Sequence, residues 1–269
     1  MSFTQTSGAR TPRRSPGCLA STALIMRRTL LHMRNNGFGL VVEAVLSPII
    51  MLLIFTFLFS GAIAGSVSGY IQYLLPGILV LTVVPMTVYS GTTLCTDIAR
   101  GVYHRFRTMP FWQPAALFGP VIADGLRYSA ALLTVLSMGL ALGFRPEDGV
   151  AGAVLAAIYV LFFAYSVSWV FALIGNVAKQ PETVSGTSMM LVYPLLFASN
   201  VLVDTSTMPR WLQVVVDVNP ISVAVALTRG LFHGTADAAD LAAGMGVCLL
   251  LVVVFAPLTI FVYLKRQLR

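Results

Sequence analysis

The sequence predicts an all-α membrane protein with six transmembrane helices, an interfacial helix before them and an external re-entrant helical hairpin between spans five and six. Hydrophobic residues make up 57% of the 269 positions and charged residues 10%, whereas soluble domains carry about 25% charge. The mean hydropathy is +0.86. No charged side chain occurs from Ala44 to Thr96, a stretch long enough for two crossings of about 20 residues each.

The N-terminal part precedes the transmembrane domain, which is expected to cover residues 37–269. Residues 1–19 combine arginines with Ser, Thr, Gly and Pro. Such a composition cannot bury enough apolar area to offset chain entropy, so a disordered cytoplasmic tail is expected. Residues 20–36 place most apolar side chains on one stripe and the arginines elsewhere, which is typical of an amphipathic helix in the membrane interface.

The first two spans are predicted at 39–61 and 71–95, because glycines and serines between them mark a turn. Glu43 lies near the inner mouth of the first span. Prolines within these spans remove backbone hydrogen bonds and are expected to kink the helices. They are Pro48, Pro76 and Pro85.

Four further spans are predicted in the second half of the chain. Asp124 and Arg127 lie one turn apart on the third span and are expected to pair; an orienting pair and a substrate contact remain alternatives. Gly139 and Gly143 have the G-x-x-x-G spacing that permits close helix contact. The four spans are 117–142, 150–176, 184–203 and 241–264.

Within the predicted re-entrant segment, 206–232, the stretch from Trp211 to Thr228 is apolar enough to suggest a seventh span, but Asp217, Asn219 and Pro220 interrupt it. A seventh span would put the basic C-terminus outside, against the positive-inside rule. Two half-helices that dip back from the external face keep it inside. With this layout both termini are cytoplasmic, and thirteen basic residues lie inside against three outside.

The chemistry of an enzyme is missing from the chain. It has no G-x-x-x-x-G-K-[ST] loop, so ATP hydrolysis by that route is excluded. The three histidines belong to different segments and lack the spacing of a zinc or Ser-His-Asp site. We therefore expect a transport subunit that binds no metal or cofactor itself. Nucleic-acid binding is not expected either, because the basic residues cluster at membrane boundaries.

A cationic segment at residues 96–110 separates the two apolar regions, and short loops rich in Arg are retained in the cytoplasm. The segment resembles the cytoplasmic loop of ABC-2 type exporter permeases, particularly the daunorubicin-resistance kind. The residues that carry this resemblance are Asp97-Ile98, Gly101 and Arg105-Phe106-Arg107-Thr108-Met109-Pro110. The entry to span two and the external region are similar to the same family in Tyr73-Leu74-Leu75-Pro76-Gly77, Phe197-Ala198-Ser199-Asn200, Met208-Pro209, Trp211-Leu212-Gln213, Asn219-Pro220, Arg229 and Gly234.

The resemblance implies a permease of the bacterial cytoplasmic membrane that pairs with a second permease, identical or related. Two copies of an ABC ATP-binding subunit would bind ATP and Mg²⁺ and drive it. The cationic segment would hold a coupling helix, in which guanidinium groups and an apolar ridge contact that subunit. The expected coupling residues are Asp97, Arg100, Gly101, Val102, Arg105, Phe106, Arg107, Met109 and Pro110. The external re-entrant motif comprises Met208, Pro209, Trp211, Asn219, Pro220 and Arg229.

The leading hypothesis is export of a hydrophobic or amphipathic drug or natural product by alternating access. Polar side chains on spans two and five are candidates to line its path, although hydroxyls in membrane helices also bond across helix interfaces. Export of a lipid or lipid-linked glycan is an alternative, and a proton-driven secondary transporter is an alternative of another class. The path candidates are Thr82, Thr87, Tyr89, Ser90, Ser188, Tyr193 and Asn200.

Overall fold

The computed structural model describes Met26, Arg27, Thr29, Leu31 and residues 37–63, 65–100, 115–203 and 205–267, and this part is helical without strands. A π-helical turn (Val42–Leu46) joins the first two α-helices, and a 3-10 turn (Thr205–Thr207) precedes the eighth. The α-helices are α1 (Gly37–Val41), α2 (Ser47–Ile63), α3 (Val67–Met86), α4 (Val88–Ala99), α5 (Ala115–Ala141), α6 (Gly149–Val177), α7 (Pro181–Phe197), α8 (Arg210–Val218), α9 (Pro220–His233) and α10 (Ala238–Gln267).

The predicted disordered tail, 1–19, lies outside the described residues. Four residues of the predicted interfacial segment 20–36 are described, and each of them is helical.

Five helical stretches within the described residues are long and apolar enough to cross a membrane. They overlap the predicted spans one, two, three, four and six. A sixth crossing would result if α8 and α9 together formed one span. The five stretches are Gly37–Gly61, Val67–Ala99, Phe118–Ala141, Gly149–Val177 and Ala238–Lys265.

Of the predicted spans, the fifth, 184–203, agrees least with the helix found in that part of the chain. Helix α7 has 17 residues and ends at Phe197, so at about 1.5 Å per residue it is shorter than a hydrocarbon core of about 30 Å. The end is fixed by Asn219, whose side-chain nitrogen donates to the carbonyls of Leu195 at 2.7 Å and Ala198 at 2.6 Å. Those carbonyls belong to the last turn of α7, where intrahelical partners run out.

Helices α8 and α9 are bent by 78° relative to each other, so the segment predicted to be interrupted at Asn219 and Pro220 is not one straight helix. Asn219 has extended backbone angles, and its side-chain oxygen accepts from the Ile221 amide at 2.9 Å. Pro220 follows as the first helical residue, where no amide hydrogen is needed. Asn219 therefore starts α9 and ends α7 at once.

The centre of the molecule is α3, most of whose residues are buried. It packs against α2, α5 and α9, while α4 continues it and packs against α6 and α7. Of the prolines predicted to kink the spans, Pro85 lies at the break between α3 and α4, where the Thr87 hydroxyl donates to the Val84 carbonyl at 2.6 Å. Pro76 lies within the continuous α3, and Pro48 lies in the first turn of α2.

Helices α4 and α6 touch through glycine. A Cβ at Gly175 would clash with the backbone of Gly91, and a Cβ at Gly91 would clash with the carbonyl of Phe171. The predicted G-x-x-x-G pair behaves differently. Gly139 faces the side chain of Leu75, but Gly143 lies beyond α5 at a φ of +99° with nothing within 4 Å. The close contact between α4 and α6 therefore uses one glycine from each helix.

Candidate functional site

An apolar cavity of about 300 Å³ lies between α2, the α3–α4 junction and α7. Three of the predicted path residues line it: Thr82, Tyr89 and Tyr193. The Thr82 hydroxyl oxygen is buried without a hydrogen-bond partner among the described residues. This wall therefore offers a hydroxyl donor and two aromatic rings within an apolar lining that also contains Glu43, Ser47, Pro48, Met51, Phe55, Leu81, Pro85, Met86, Met189, Leu196, Phe197 and Leu202.

Four other predicted path residues do not line this cavity. Thr87, Ser90 and Ser188 are buried between helices. The backbone carbonyl of Asn200 accepts from the Tyr73 hydroxyl at 3.1 Å and from Arg229 at 3.3 Å. The interhelical role that the sequence left open describes Ser90, whose hydroxyl donates to Asp124 on α5. The Thr87 hydroxyl makes a local bond instead, to the carbonyl of Val84 three residues earlier.

A charged cluster formed by Glu43, Asp124 and Arg127 adjoins the cavity. The Arg127 guanidinium lies 3.7 Å from Asp124 and 3.9 Å from Glu43, and its carbon lies 5.0 Å from the centre of the Tyr89 ring. The pairing of Asp124 with Arg127 follows from their spacing on α5. Glu43 comes from the π-helical turn, whose extra residue changes the direction of the side chains.

The second carboxylate, Asp124, is 3% exposed and accepts from the Ser90 hydroxyl at 2.6 Å. Ser90 also lies 3.3 Å from the Tyr128 hydroxyl, which is 3.0 Å from the Ser168 hydroxyl. Polar side chains thus connect α4, α5 and α6 across the interior. Sequence reasoning missed Tyr128 and Ser168, and their only signal was a hydroxyl on an otherwise apolar helix.

A hydroxyl-lined cavity of about 580 Å³ has all three residues of the charged cluster in its wall. It shares Glu43 and Tyr89 with the apolar cavity, so the two spaces adjoin at these residues. Its other lining residues are Thr29, Phe38, Gly39, Val42, Thr92, Thr93, Thr96, Asp97, Arg100, Asp124 and Arg127.

The predicted coupling residues are described only in part. Asp97 lies in the last turn of α4 and Arg100 ends that helix, and both border the hydroxyl-lined cavity. The others lie outside the described residues: Gly101, Val102, Arg105, Phe106, Arg107, Met109 and Pro110.

The predicted external motif is held together around Asn219 and Arg229. The Arg229 guanidinium carbon stacks 3.8 Å from the centre of the Tyr73 ring, which joins α9 to the start of α3. Pro209 precedes α8, and the Met208 carbonyl accepts from the Gln213 side chain at 2.8 Å. Trp211 points away from the described chain and is 70% exposed. The motif thus fixes α9 against α3 and α7.

The described residues contain no group of three or more His, Cys, Asp or Glu side chains arranged to hold a metal ion.

Known proteins resemble this chain in sequence over most of its length. The family model described as "ABC-2 type transporter" matches residues 20–233. The chain is 51% identical over 226 residues to the daunorubicin resistance ABC transporter permease protein DrrB1 of Streptomyces coeruleorubidus. The aligned region covers 84% of this chain and 80% of the relative. It is 21% identical over 233 residues to the probable doxorubicin resistance ABC transporter permease protein DrrC of Mycobacterium tuberculosis, with 83% of each covered. It is 24% identical over 225 residues to the putative transport permease ycf38 of Porphyra purpurea, with 79% and 74% covered.

Proposed function

Because the chain belongs to the ABC-2 type transporter family, we propose that it is the permease through which a hydrophobic or amphipathic small molecule leaves a bacterial cell. A separate ABC ATP-binding subunit supplies the energy. The observation that carries this proposal is the apolar cavity between α2, the α3–α4 junction and α7, with three polar or aromatic path residues on its wall.

The size of the cavity favours a small molecule over a lipid-linked glycan. Its volume of about 300 Å³ is at the lower end of the roughly 300–1,000 Å³ of small-molecule sites. Two relatives are named for resistance to daunorubicin and doxorubicin. Daunorubicin and doxorubicin are therefore the first substrates to test on this chain.

We propose the following topology in the membrane. Helix α7 is the fifth span, and α8 and α9 form the external re-entrant hairpin, since this keeps Lys265 and the N-terminal arginines on the cytoplasmic side. The short α7 fits this arrangement because Asn219 fixes the outer end of that helix from the hairpin.

The working unit contains a second permease and two ATP-binding subunits, which bind ATP and Mg²⁺. The cationic segment contacts the ATP-binding subunit. Asp97 and Arg100, at the end of α4, join that segment to the wall of the hydroxyl-lined cavity. Movement of the cationic segment would thus be transmitted through α4 to the wall of the hydroxyl-lined cavity.

Alternating access would use the two cavities as the two ends of one path. They meet at Glu43 and Tyr89, beside the Arg127 guanidinium. Long ion-pair distances of 3.7 and 3.9 Å exceed the roughly 2.7–2.9 Å of a strong charge-assisted hydrogen bond. Such loose pairs can rearrange when the cavities open and close.

A drug accumulation assay tests the proposal. Coexpression of the chain with its ATP-binding partner in a drug-sensitive bacterium is expected to lower cellular doxorubicin, whereas a partner with an inactive ATP site would not. Unchanged doxorubicin together with increased lipid in the outer leaflet would favour the lipid exporter instead.

A further inference from the structure

We propose that the Glu43 carboxylate binds the positive charge of an amphipathic cation, such as a protonated amine on an apolar body. The inference rests on the proposed export function and names the class of molecule that the path accepts. It follows from the charge of the cluster, the position of Glu43 and the lining of the two cavities.

The cluster has more negative than positive groups. Two carboxylates share the single guanidinium of Arg127, so its formal charge is −1 when both are ionised. Asp124 has a second partner, the Ser90 hydroxyl at 2.6 Å. One oxygen of Glu43, Oε1, is buried and has no hydrogen-bond partner among the described residues. Glu43 is thus the carboxylate with a buried oxygen left over, and its ion pair with Arg127 is the longer of the two, at 3.9 Å.

Glu43 also stands where a ligand would pass. Its side chain borders both the apolar and the hydroxyl-lined cavity. A π-helical turn places it there, and such turns are frequent at functional sites.

The surroundings of Glu43 select against other ligand classes. An anion would be repelled by the net negative cluster, because Arg127 already faces two carboxylates and the Tyr89 ring. A neutral molecule without a hydrogen-bond donor would leave the buried Oε1 oxygen of Glu43 without a partner, which is unfavourable. A cation supplies the missing partner, and the Tyr89 ring face adds cation–π attraction.

The apolar cavity provides for the remainder of the molecule. Met51, Phe55, Leu196 and Phe197 line it beyond Glu43. A charged head at Glu43 would therefore carry its apolar body between α2 and α7. Both parts are required, since an inorganic cation would fill only the charged end.

Binding of a matched pair of fluorescent probes tests this site. The full chain with its ATP-binding partner is placed in lipid nanodiscs without nucleotide and titrated with monodansylcadaverine, a primary amine, and with its neutral N-acetyl derivative. Glu43→Gln is expected to raise the Kd of the amine about tenfold or more, and to change that of the acetylated probe less than about twofold. Glu43→Asp, which keeps the charge, should retain part of the amine affinity.

Glu182→Gln serves as the control, because Glu182 is an exposed carboxylate in the first turn of α7. The proposal would be overturned if Glu43→Gln raised the Kd of both probes equally. It would also be overturned if the amine bound the wild type and Glu43→Gln with equal affinity. Charge-selective binding without ATP-driven transport would count against the export function alone. Transport of both probes at equal rates in the wild type and Glu43→Gln would count against the cation site alone.

Discussion

Asp124 shows at the scale of one residue how the fold keeps a charge inside an apolar bundle. It is 3% exposed, lies 3.7 Å from Arg127 and accepts the Ser90 hydroxyl at 2.6 Å. Removing one member of a buried ion pair leaves the other charge uncompensated, and this typically costs about 3–5 kcal/mol. Loss of a hydrogen bond to a charged group costs about 1.5–3 kcal/mol.

Because Glu43 remains 3.9 Å from Arg127, we expect Asp124→Ala to lower the free energy of unfolding by about 3 kcal/mol, the low end of the range for a buried ion pair, and Ser90→Ala by less. Thermal unfolding of the purified protein in one detergent measures both. Ser68→Ala is the control, because Ser68 is exposed in the first turn of α3. A control variant as unstable as Asp124→Ala would show that the buried pair contributes nothing particular.

Individual residues also show which parts of the site a sequence can predict. Asp124 and Arg127 lie one turn apart on the same helix, so their spacing in the sequence is sufficient to predict that they pair. Glu43 is distant in sequence and joins them only through a π-helical turn, which has no composition signal. Ser90 and Tyr89 are neighbours with similar sequence context, yet one is buried and the other half-exposed. Successive side chains on a helix point in different directions, and the partner that buries Ser90, Asp124 on α5, is distant in sequence.

At the scale of helices, the contact between α4 and α6 depends on Gly91 and Gly175. Gly175→Ala is expected to destabilise the protein, because its Cβ would meet backbone that cannot move aside as a side chain can. Overpacking of this kind costs about 1–3 kcal/mol. Gly186→Ala on α7 has nothing within 4 Å of its Cβ and should be neutral or stabilising by up to about 1 kcal/mol.

The fraction of each variant that remains monodisperse after heating measures this difference. If Gly186→Ala lost as much protein as Gly175→Ala, glycine at the contact would not be required.

Hydropathy predicts the long helices well because it is a local property. Five predicted spans overlap helices of sufficient length. The end of α7 could not be predicted in this way, because it is set by the amide of Asn219, 21 residues beyond Ala198. The glycine contact was missed for the same reason. Gly91 and Gly175 lie on different helices, whereas the G-x-x-x-G pattern relates residues within a single helix.

At the scale of the whole molecule, coupling to the ATP-binding subunit must transmit enough free energy to reverse a gate. A change from 1:99 to 99:1 needs about 5.5 kcal/mol, whereas an exposed ion pair contributes roughly 0–1 kcal/mol. Apolar anchoring by the cationic segment is therefore expected to carry most of the coupling.

We accordingly expect Phe106→Ala to uncouple ATP hydrolysis from transport more than Arg107→Ala does. The ratio of substrate moved to ATP hydrolysed, measured in vesicles that contain both subunits, gives the comparison. Intact coupling in Phe106→Ala with complete loss in Arg107→Ala would reverse this ranking. Both residues lie outside the described part, so the prediction depends on the sequence alone.

The central claim is that the chain is passive and is driven by a nucleotide-hydrolysing partner. Its most direct test is doxorubicin uptake into inside-out membrane vesicles that contain both subunits, with an ionophore added to collapse the proton gradient. We predict that uptake continues while ATP is present and stops when ATP is withheld. Uptake by vesicles that contain this chain alone, driven by an imposed proton gradient without ATP, would contradict the claim.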